Sequence, residues 1–160
     1  MSFGKNISQW AKETREKTET ITEAIFTEIC TRIVERTPIG DKSIWGSIPS
    51  GRNVQNYKPN YRPGTLVNSW YAGIGEPPAN LEPREYNVTG QASFQSIQNI
   101  SKNAPGNVAY FVNPTPYANR AEHVGWVATT GRISQLPYKM VGLTVNEFKQ
   151  IVNIVTNEYR

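Results

Sequence analysis

This chain has little of the residue types that metal sites and many catalytic sites require. Its 160 residues include one cysteine, Cys30, and one histidine, His123. A single cysteine cannot form a disulfide within the chain. Structural zinc needs about four nitrogen or sulfur ligands, and one cysteine and one histidine cannot supply them. We therefore expect no disulfide, no bound metal and no other cofactor.

Recognisable catalytic motifs are also missing from the sequence. It contains no Gly-x-Ser-x-Gly elbow, no Walker-type phosphate loop and no dinucleotide fingerprint. Cys30 lies next to Ile29 in an apolar helical stripe, which predicts a buried structural thiol rather than the nucleophile of a Cys–His pair. His123 is interpreted as a helix-end residue, where the helix dipole favours a protonated ring. We expect the protein not to be an enzyme.

Long hydrophobic runs are absent, and no segment approaches the roughly 18 apolar residues that span a bilayer. The N-terminus also lacks a charged-then-apolar leader. The hydrophobic fraction of 38% and the mean hydropathy of −0.53 are low for a compact globular domain. These values predict a single soluble domain, made in a cytoplasm, with a modest core and much surface that a partner covers.

The excess of positive charge is small and diffuse. The chain has 17 basic and 13 acidic residues, a net charge of +4. A dedicated nucleic-acid binder usually concentrates such charge in a stripe. We interpret the charges as a solvated surface, and the alternative is a weakly positive lining along which DNA passes.

Glycine and proline are absent from residues 5–36, and Ile21, Ile25, Ile29 and Ile33 recur at every fourth position. This spacing predicts a long amphipathic helix. Its first half is too polar for a deep core, so that half either packs on another subunit or frays in solvent. Pro38 ends the helix, because the residue before a proline is disfavoured in the α region. The first domain segment is therefore a helix over 1–37.

An irregular segment, 38–64, follows the helix and is rich in proline and glycine. We predict that it is an extended arm laid across a neighbouring subunit. Alternatives are stacking on nucleic acid, which interleaved aromatic and basic residues permit, and a loop packed on its own body. The candidate interface residues of the arm are Trp45, Tyr57, Lys58, Tyr61 and Arg62.

The remaining segment, 65–160, is predicted to be an α+β body. Strands are expected over 65–74 and 108–112, and they pair at the centre of a small antiparallel sheet. A middle helix is expected from Thr89 or Ser93 to about Lys102, and a C-terminal helix is expected to begin near Gly142. Thr144 and Glu147 have the spacing of a capping box at the start of that last helix. Its apolar face is predicted to consist of Val145, Phe148, Ile151, Val152 and Val155.

The segment 110–126 reads YFVNPTPYANRAEHVGW. Its pattern is a strand, a turn, a short helix and a stop, since prolines cannot donate to a strand ladder and glycine often terminates a helix. Three other pieces accompany it in order. They are Thr37-Pro38 after the long helix, Gly64 to Trp70 with the sequence GTLVNSW, and Met140 to Phe148 with the sequence MVGLTVNEF.

Taken together, these motifs resemble the tail-completion or neck proteins of tailed bacteriophages, the family that includes the lambda-like minor tail protein Z. The resemblance implies a small antiparallel sheet flanked by a long N-terminal, a middle and a C-terminal helix. It also implies a structural role for Glu122 near Tyr117, where a carboxylate could accept bonds from backbone amides. The motif positions are Thr37, Pro38, Ser69, Trp70, Asn113, Pro116, Tyr117, Ala118, Glu122, Gly125 and Trp126.

The resemblance further implies a closed ring in the virion neck that joins the tail to the head connector. The ring would be a hexamer, with a dodecamer as the alternative. Its neighbours would be a portal-side adaptor ring and the tail terminator or tail tube protein, with genomic DNA passing through and no membrane involved. Two other functions stay open: a tail terminator or head-completion adaptor of the same neck, and a nucleic-acid-binding protein.

Overall fold

A computed structural model describes residues 3–40, 62–127 and 133–159 of the chain. The fold is α+β, as the sequence predicts. Its helices are α1 (Phe3–Arg36), α2 (Thr65–Asn68), α3 (Gln91–Ser101), α4 (Ala118–His123), α5 (Met140–Asn146) and α6 (Phe148–Glu158). Its strands are β1 (Tyr71–Ile74), β2 (Ala109–Val112), β3 (Trp126–Val127) and β4 (Ile133–Gln135).

The long N-terminal helix is confirmed, and its two halves have different surroundings. Residues 4–20 are exposed, whereas residues 21–36 are mostly half-buried or buried and pack on α3, α5 and α6. The exposed half is about 25 Å long at 1.5 Å per residue. The helix ends at Arg36, where the Thr37 amide donates to the Val34 carbonyl at 3.0 Å, just before Pro38.

The hydrophobic core lies where the second half of α1 meets α2, α3 and α5. Nine buried residues form one cluster: Cys30, Ile33, Val34, Leu66, Val67, Trp70, Ile97, Ala121 and Met140. Because these residues come from five elements and the turn after α2, the cluster fixes how α1 sits on the body.

The predicted pairing of the two central segments is confirmed. Strands β1 and β2 are antiparallel, with Tyr71 opposite Val112 and Ile74 opposite Ala109. The predicted extent of the first strand is wrong, because residues 65–68 form the short helix α2. Gly64 has a left-handed φ of 96°, and its carbonyl accepts the Asn68 amide at 3.1 Å. The chain is therefore helical before it becomes extended.

The middle helix is confirmed as α3, which begins at Gln91, between the two expected starts. The single C-terminal helix is wrong: the chain forms α5 and α6, separated at Glu147. Thr144 is not an N-cap, since it lies inside α5 and its hydroxyl donates to the Met140 carbonyl at 2.8 Å. The α5–α6 break also leaves Val145 and Phe148 exposed, whereas the sequence places them on the apolar face.

A second, two-stranded sheet of β3 and β4 connects α4 to α5, with Trp126 opposite Gln135. Gly125 precedes it with a φ of 74°, and its amide donates to the Arg120 carbonyl at 2.8 Å, so the predicted helix stop is confirmed. None of the helices in the described ranges combines the length and apolarity needed to cross a bilayer.

Candidate functional site

Two of the family-motif segments meet through a buried hydrogen bond. The Trp70 indole Nε1 donates to the Thr37 hydroxyl at 2.9 Å, and that hydroxyl donates to the Ile33 carbonyl at 2.7 Å. The Trp70 ring stacks on Phe111 with centroids 5.0 Å apart and 11° between planes. Trp70 thereby joins the end of α1 to β2, and it is buried in the core with an exposure of 5%.

Ser69 and Asn113 connect the same region to the strand ends. The Ser69 hydroxyl donates to the Thr65 carbonyl at 2.6 Å and accepts the Arg84 amide at 2.9 Å. The Asn113 side-chain amide donates to the Leu66 carbonyl at 2.9 Å. Its oxygen accepts both the amide and the hydroxyl of Thr115. The end of β2 is therefore tied to α2 by side chains rather than by a strand ladder.

Glu122 is buried and accepts two backbone hydrogen bonds at the start of α5. Its carboxylate oxygens accept the Val141 amide at 3.1 Å and the Gly142 amide at 2.9 Å. The first amides of a helix have no partner within the helix, and a carboxylate is favoured there by the helix dipole. Acceptance of backbone amides by Glu122 is thus confirmed, although the amides belong to α5 rather than to a turn near Tyr117.

Pro116 and Tyr117 are exposed at the start of α4, and Ala118 is half-buried against the core cluster. The Tyr117 carbonyl accepts the Ala121 amide at 2.9 Å. Partial burial raises the pKa of the Tyr117 phenol. This end of the motif therefore starts α4 and also presents an aromatic ring at the surface.

Gly125 and Trp126 close the motif at the other end of α4. The Arg120 guanidinium donates to the Gly125 carbonyl at 2.9 Å and lies 5.9 Å from the centre of the Trp126 ring. Trp126 is half-buried against the core cluster. It therefore lies at the edge of the core, on strand β3.

Sequence reasoning missed two residues that hold the segment 79–88 on the body. The Asn68 side chain donates to the Glu85 carbonyl and accepts the Ala92 amide, both at 2.9 Å. The Arg84 guanidinium lies 3.7 Å from the centre of the Tyr71 ring. The only available signal was Asn68 itself, a polar residue on the face where the strand pattern required an apolar one.

An ion cluster at the α5–α6 break was also missed. Glu147 accepts Arg36 Nη2 at 2.7 Å and Arg32 Nη1 at 3.1 Å, and Arg36 Nη1 donates to the Thr144 hydroxyl at 2.8 Å. The hydrogen bond from Arg36 holds the pKa of the Glu147 carboxyl below its ordinary value. Thr144 and Glu147 therefore contact the arginines of α1 and do not form a capping box.

Cys30 and His123 are the two residues whose side chains most often suggest chemistry. Burial raises the pKa of the Cys30 thiol to about 12, so at neutral pH it is not a thiolate nucleophile. His123 is the exposed last residue of α4, as predicted. In the described part of the chain, no three His, Cys, Asp or Glu side chains form a group that could hold a metal ion.

Four of the five predicted arm residues, Trp45, Tyr57, Lys58 and Tyr61, lie outside the described residues. The fifth, Arg62, has its guanidinium 5.1 Å from the centre of the Tyr86 ring. The prediction that the arm contacts a neighbouring subunit therefore stays a prediction.

Exposed apolar side chains occur in several parts of the described chain, and two groups of them lie on different elements. Ile7 and Trp10 are exposed on the first half of α1. Val124, Leu136, Leu143 and Val145 are exposed around α4 and α5. Comparison with protein-family models, with curated proteins and with solved structures gives no match to this chain.

Proposed function

We propose that this chain is a structural protein of the neck of a tailed bacteriophage. In this proposal it is a tail-completion subunit whose ring joins the tail to the head connector and leaves a channel for DNA. Its neighbours are a portal-side adaptor ring and the tail terminator or tail tube protein. It acts by shape and contact rather than by catalysis, in the host cytoplasm during assembly and then in the virion.

One observation carries the proposal: several of the motif residues that resemble the family, although far apart in sequence, meet at a single core. Thr37 and Trp70 share a hydrogen bond across 33 residues, and Asn113 bonds to Leu66 across 47. Ala121, next to Glu122, belongs to the same buried cluster as Trp70. A shared structural role for these motif residues is what the resemblance implies, and these contacts agree with that role.

The distribution of surface also favours a subunit over a solitary domain. A closed ring needs two different faces on each subunit, because one face must meet the other face of the next copy. The first half of α1 stands clear of the body and carries exposed apolar side chains, and a second exposed apolar face surrounds α5. A chain with two such unlike faces is suited to head-to-tail association.

The experiment that tests the proposal uses tails assembled in infected cells that cannot make heads. A tail-completion protein should copurify with these tails, and immunogold particles should label one tail end only. If the chain appears only on filled heads, it is an adaptor or head-completion protein of the same neck. If it appears on neither structure, the proposal fails.

The alternative of nucleic-acid binding gives a different result in solution. Lys and Arg contacts to phosphates make affinity fall steeply with salt. We expect weak binding of the purified chain to duplex and single-stranded DNA even at low salt, because its basic residues are diffuse. Tight, salt-steep binding would favour the nucleic-acid alternative instead.

A further inference from the structure

A groove between α4 and α5 is open to solvent. It has a volume of about 400 Å³, and its lining includes His123, Lys139, Val141, Leu143 and Val145. Leu143 is 44% exposed and Val145 is 62% exposed. Apolar side chains in a concave surface with a polar edge are typical of a site that receives a partner's side chain.

A matching projection lies on the first half of α1. Trp10 is 67% exposed and Ile7 is 49% exposed. Residues three apart in a helix share a face, so Ile7, Trp10 and Glu13 lie along one side of α1. Exposed tryptophan is among the residue types that most often anchor protein interfaces.

The groove on the same copy is a poor receptor for this projection. Helix α1 runs without a break to Arg36, and the body first covers it near Ile21. Trp10 therefore stands about 16 Å of helix beyond the body, at 1.5 Å per residue. An unbroken helix cannot fold back, so a second copy is the better candidate to cover Trp10.

Charge favours the pairing of these two faces. The Glu13 carboxylate accepts a hydrogen bond from Gln9 and forms no ion pair with any described residue. Lys139, at the groove, forms no ion pair within the described ranges, and His123 is exposed beside it. The groove's own acid, Glu122, is already occupied by two backbone amides. Glu13 and Lys139 are thus complementary charges on the projection and the groove.

We propose that Trp10 of one copy inserts into the α4–α5 groove of the next copy, with Glu13 facing Lys139. This inference rests on the proposed ring and names its subunit contact. The contact is head-to-tail, since projection and groove are different surfaces of the same chain. Repetition of one such contact around an axis closes a ring.

Cysteine cross-linking of the full chain tests the geometry. Glu13→Cys protein and Leu143→Cys protein are mixed under mild oxidation, and native Cys30 is too buried to interfere. We expect cross-linked dimers in the mixture and in neither protein alone. Ser8→Cys is the matched control, because it is exposed on the side of α1 opposite Trp10. It should cross-link poorly with Leu143→Cys.

Each other result of the cross-linking experiment overturns the inference. Dimers of Glu13→Cys protein alone would mean that α1 pairs with α1. Equal cross-linking by Ser8→Cys protein would mean that the groove does not contact specifically the side of α1 that carries Trp10. Rings without any cross-link would remove this contact but leave the proposed function standing, whereas absence of rings altogether would count against both.

Charge reversal tests the Glu13–Lys139 pair independently. Glu13→Lys and Lys139→Glu should each weaken self-association roughly tenfold, in the range of close interfacial charge pairs, and the double variant should recover most of the loss. Trp10→Ala should weaken self-association by ~30-fold or more, as for a hot-spot residue. Circular dichroism checks that each variant stays folded. Additive losses in the double variant would contradict the pairing.

Discussion

At the residue scale, buried polar side chains determine how distant segments meet. Thr37, Asn68, Ser69, Ser93 and Glu122 are all buried, and each forms hydrogen bonds. Within the described ranges, no buried side-chain nitrogen or oxygen lacks a partner. An unsatisfied buried polar group costs more than the bond itself contributes, so such residues make alternative packings unfavourable.

The Thr37–Trp70 hydrogen bond should have a measurable effect on stability. Thr37→Val leaves the Trp70 indole N–H unsatisfied in the core, and we expect a loss of about 1–3 kcal/mol in the free energy of unfolding. Thr37→Ser keeps the hydroxyl and removes one methyl group, which should cost about 0.8 kcal/mol. Urea unfolding at neutral pH measures both. Equal losses for the two variants would mean that the hydroxyl contributes little.

Gly125 and Gly106 form a matched pair, since their φ angles are 74° and 75°. A left-handed conformation costs an alanine about 1–2 kcal/mol, so both substitutions carry that penalty. At Gly106 nothing lies within 4 Å of an added Cβ, whereas at Gly125 an added Cβ would clash with the Gln135 carbonyl oxygen. Gly125→Ala should therefore lower the thermal midpoint clearly more than Gly106→Ala. Equal shifts would show that β4 moves freely away from Gly125.

Glu147 should contribute to the acid dependence of stability. The hydrogen bond from Arg36 lowers its pKa below the ordinary 4.5 in the folded chain. Its contribution is therefore fully present above the unfolded pKa and is lost as the pH falls through the lower folded value. Glu147→Gln should unfold at lower urea concentration than the natural chain at neutral pH, and the difference should shrink in acid.

The control for Glu147 is Glu76→Gln, because Glu76 is exposed on a loop and forms no ion pair with a described residue. Its acid dependence should match that of the natural chain. A difference between natural and Glu147→Gln protein that stays constant from neutral to acid pH would show that the ion cluster is not the cause.

At the scale of elements, local sequence pattern predicted the helices and strands whose apolar residues recur with a clear period or run. The four-residue spacing of isoleucines from Ile21 to Ile33 predicted the packed half of α1. Alternation predicted the strand that contains β1, and an apolar run predicted β2. Local sequence pattern failed where contacts between distant segments determine the secondary structure. Residues 65–68 are helical rather than extended, and α3 bonds to this region. The Ser93 hydroxyl donates to the Val67 carbonyl at 2.8 Å and accepts the Trp70 amide at 2.9 Å.

The sequence indicated some residues of the candidate site, but it did not indicate the groups with which they form hydrogen bonds. Glu122 was expected to accept backbone amides, yet no sequence spacing indicates that these amides lie 19 and 20 residues later. The break at Glu147 was likewise hidden, because it depends on Arg32 and Arg36, which are more than 100 residues away in sequence. Long-range contacts of this kind leave no local pattern.

Hydrogen exchange should separate the two halves of α1. In the exposed half, the hydroxyls of Thr14 and Thr18 donate to carbonyls four residues earlier in the same helix. These bonds are local, and the residues of this half are exposed rather than packed on the rest of the chain. A helix of this length is marginal in water without packing. In dilute monomer, residues 4–20 should exchange much faster than residues 21–36.

Assembly should then protect the exposed half of α1 from exchange, because in the proposed contact a neighbouring copy covers it. Glu13→Lys protein at the same concentration is the control, and its protection should remain low. Equal slow exchange of both halves in dilute monomer would contradict the dependence of the first half on a partner.

At the scale of the whole molecule, the chain combines a well-defined core with surfaces that a single copy leaves open. The core fixes the second half of α1 on the body, and the first half continues the same helix beyond the body. A projection on one side and a groove on another are what repeated head-to-tail contact requires. The central claim is therefore that the functional unit is a closed assembly of copies.

Native mass spectrometry of the purified full chain, from dilute solution to the highest concentration that stays dissolved, tests this claim most directly. We expect monomer to give way to one dominant closed species of six or twelve copies, and we expect Trp10→Ala to shift this transition to higher concentration. Monomer alone across the whole range, or a ladder of every size without a dominant closed species, would contradict it.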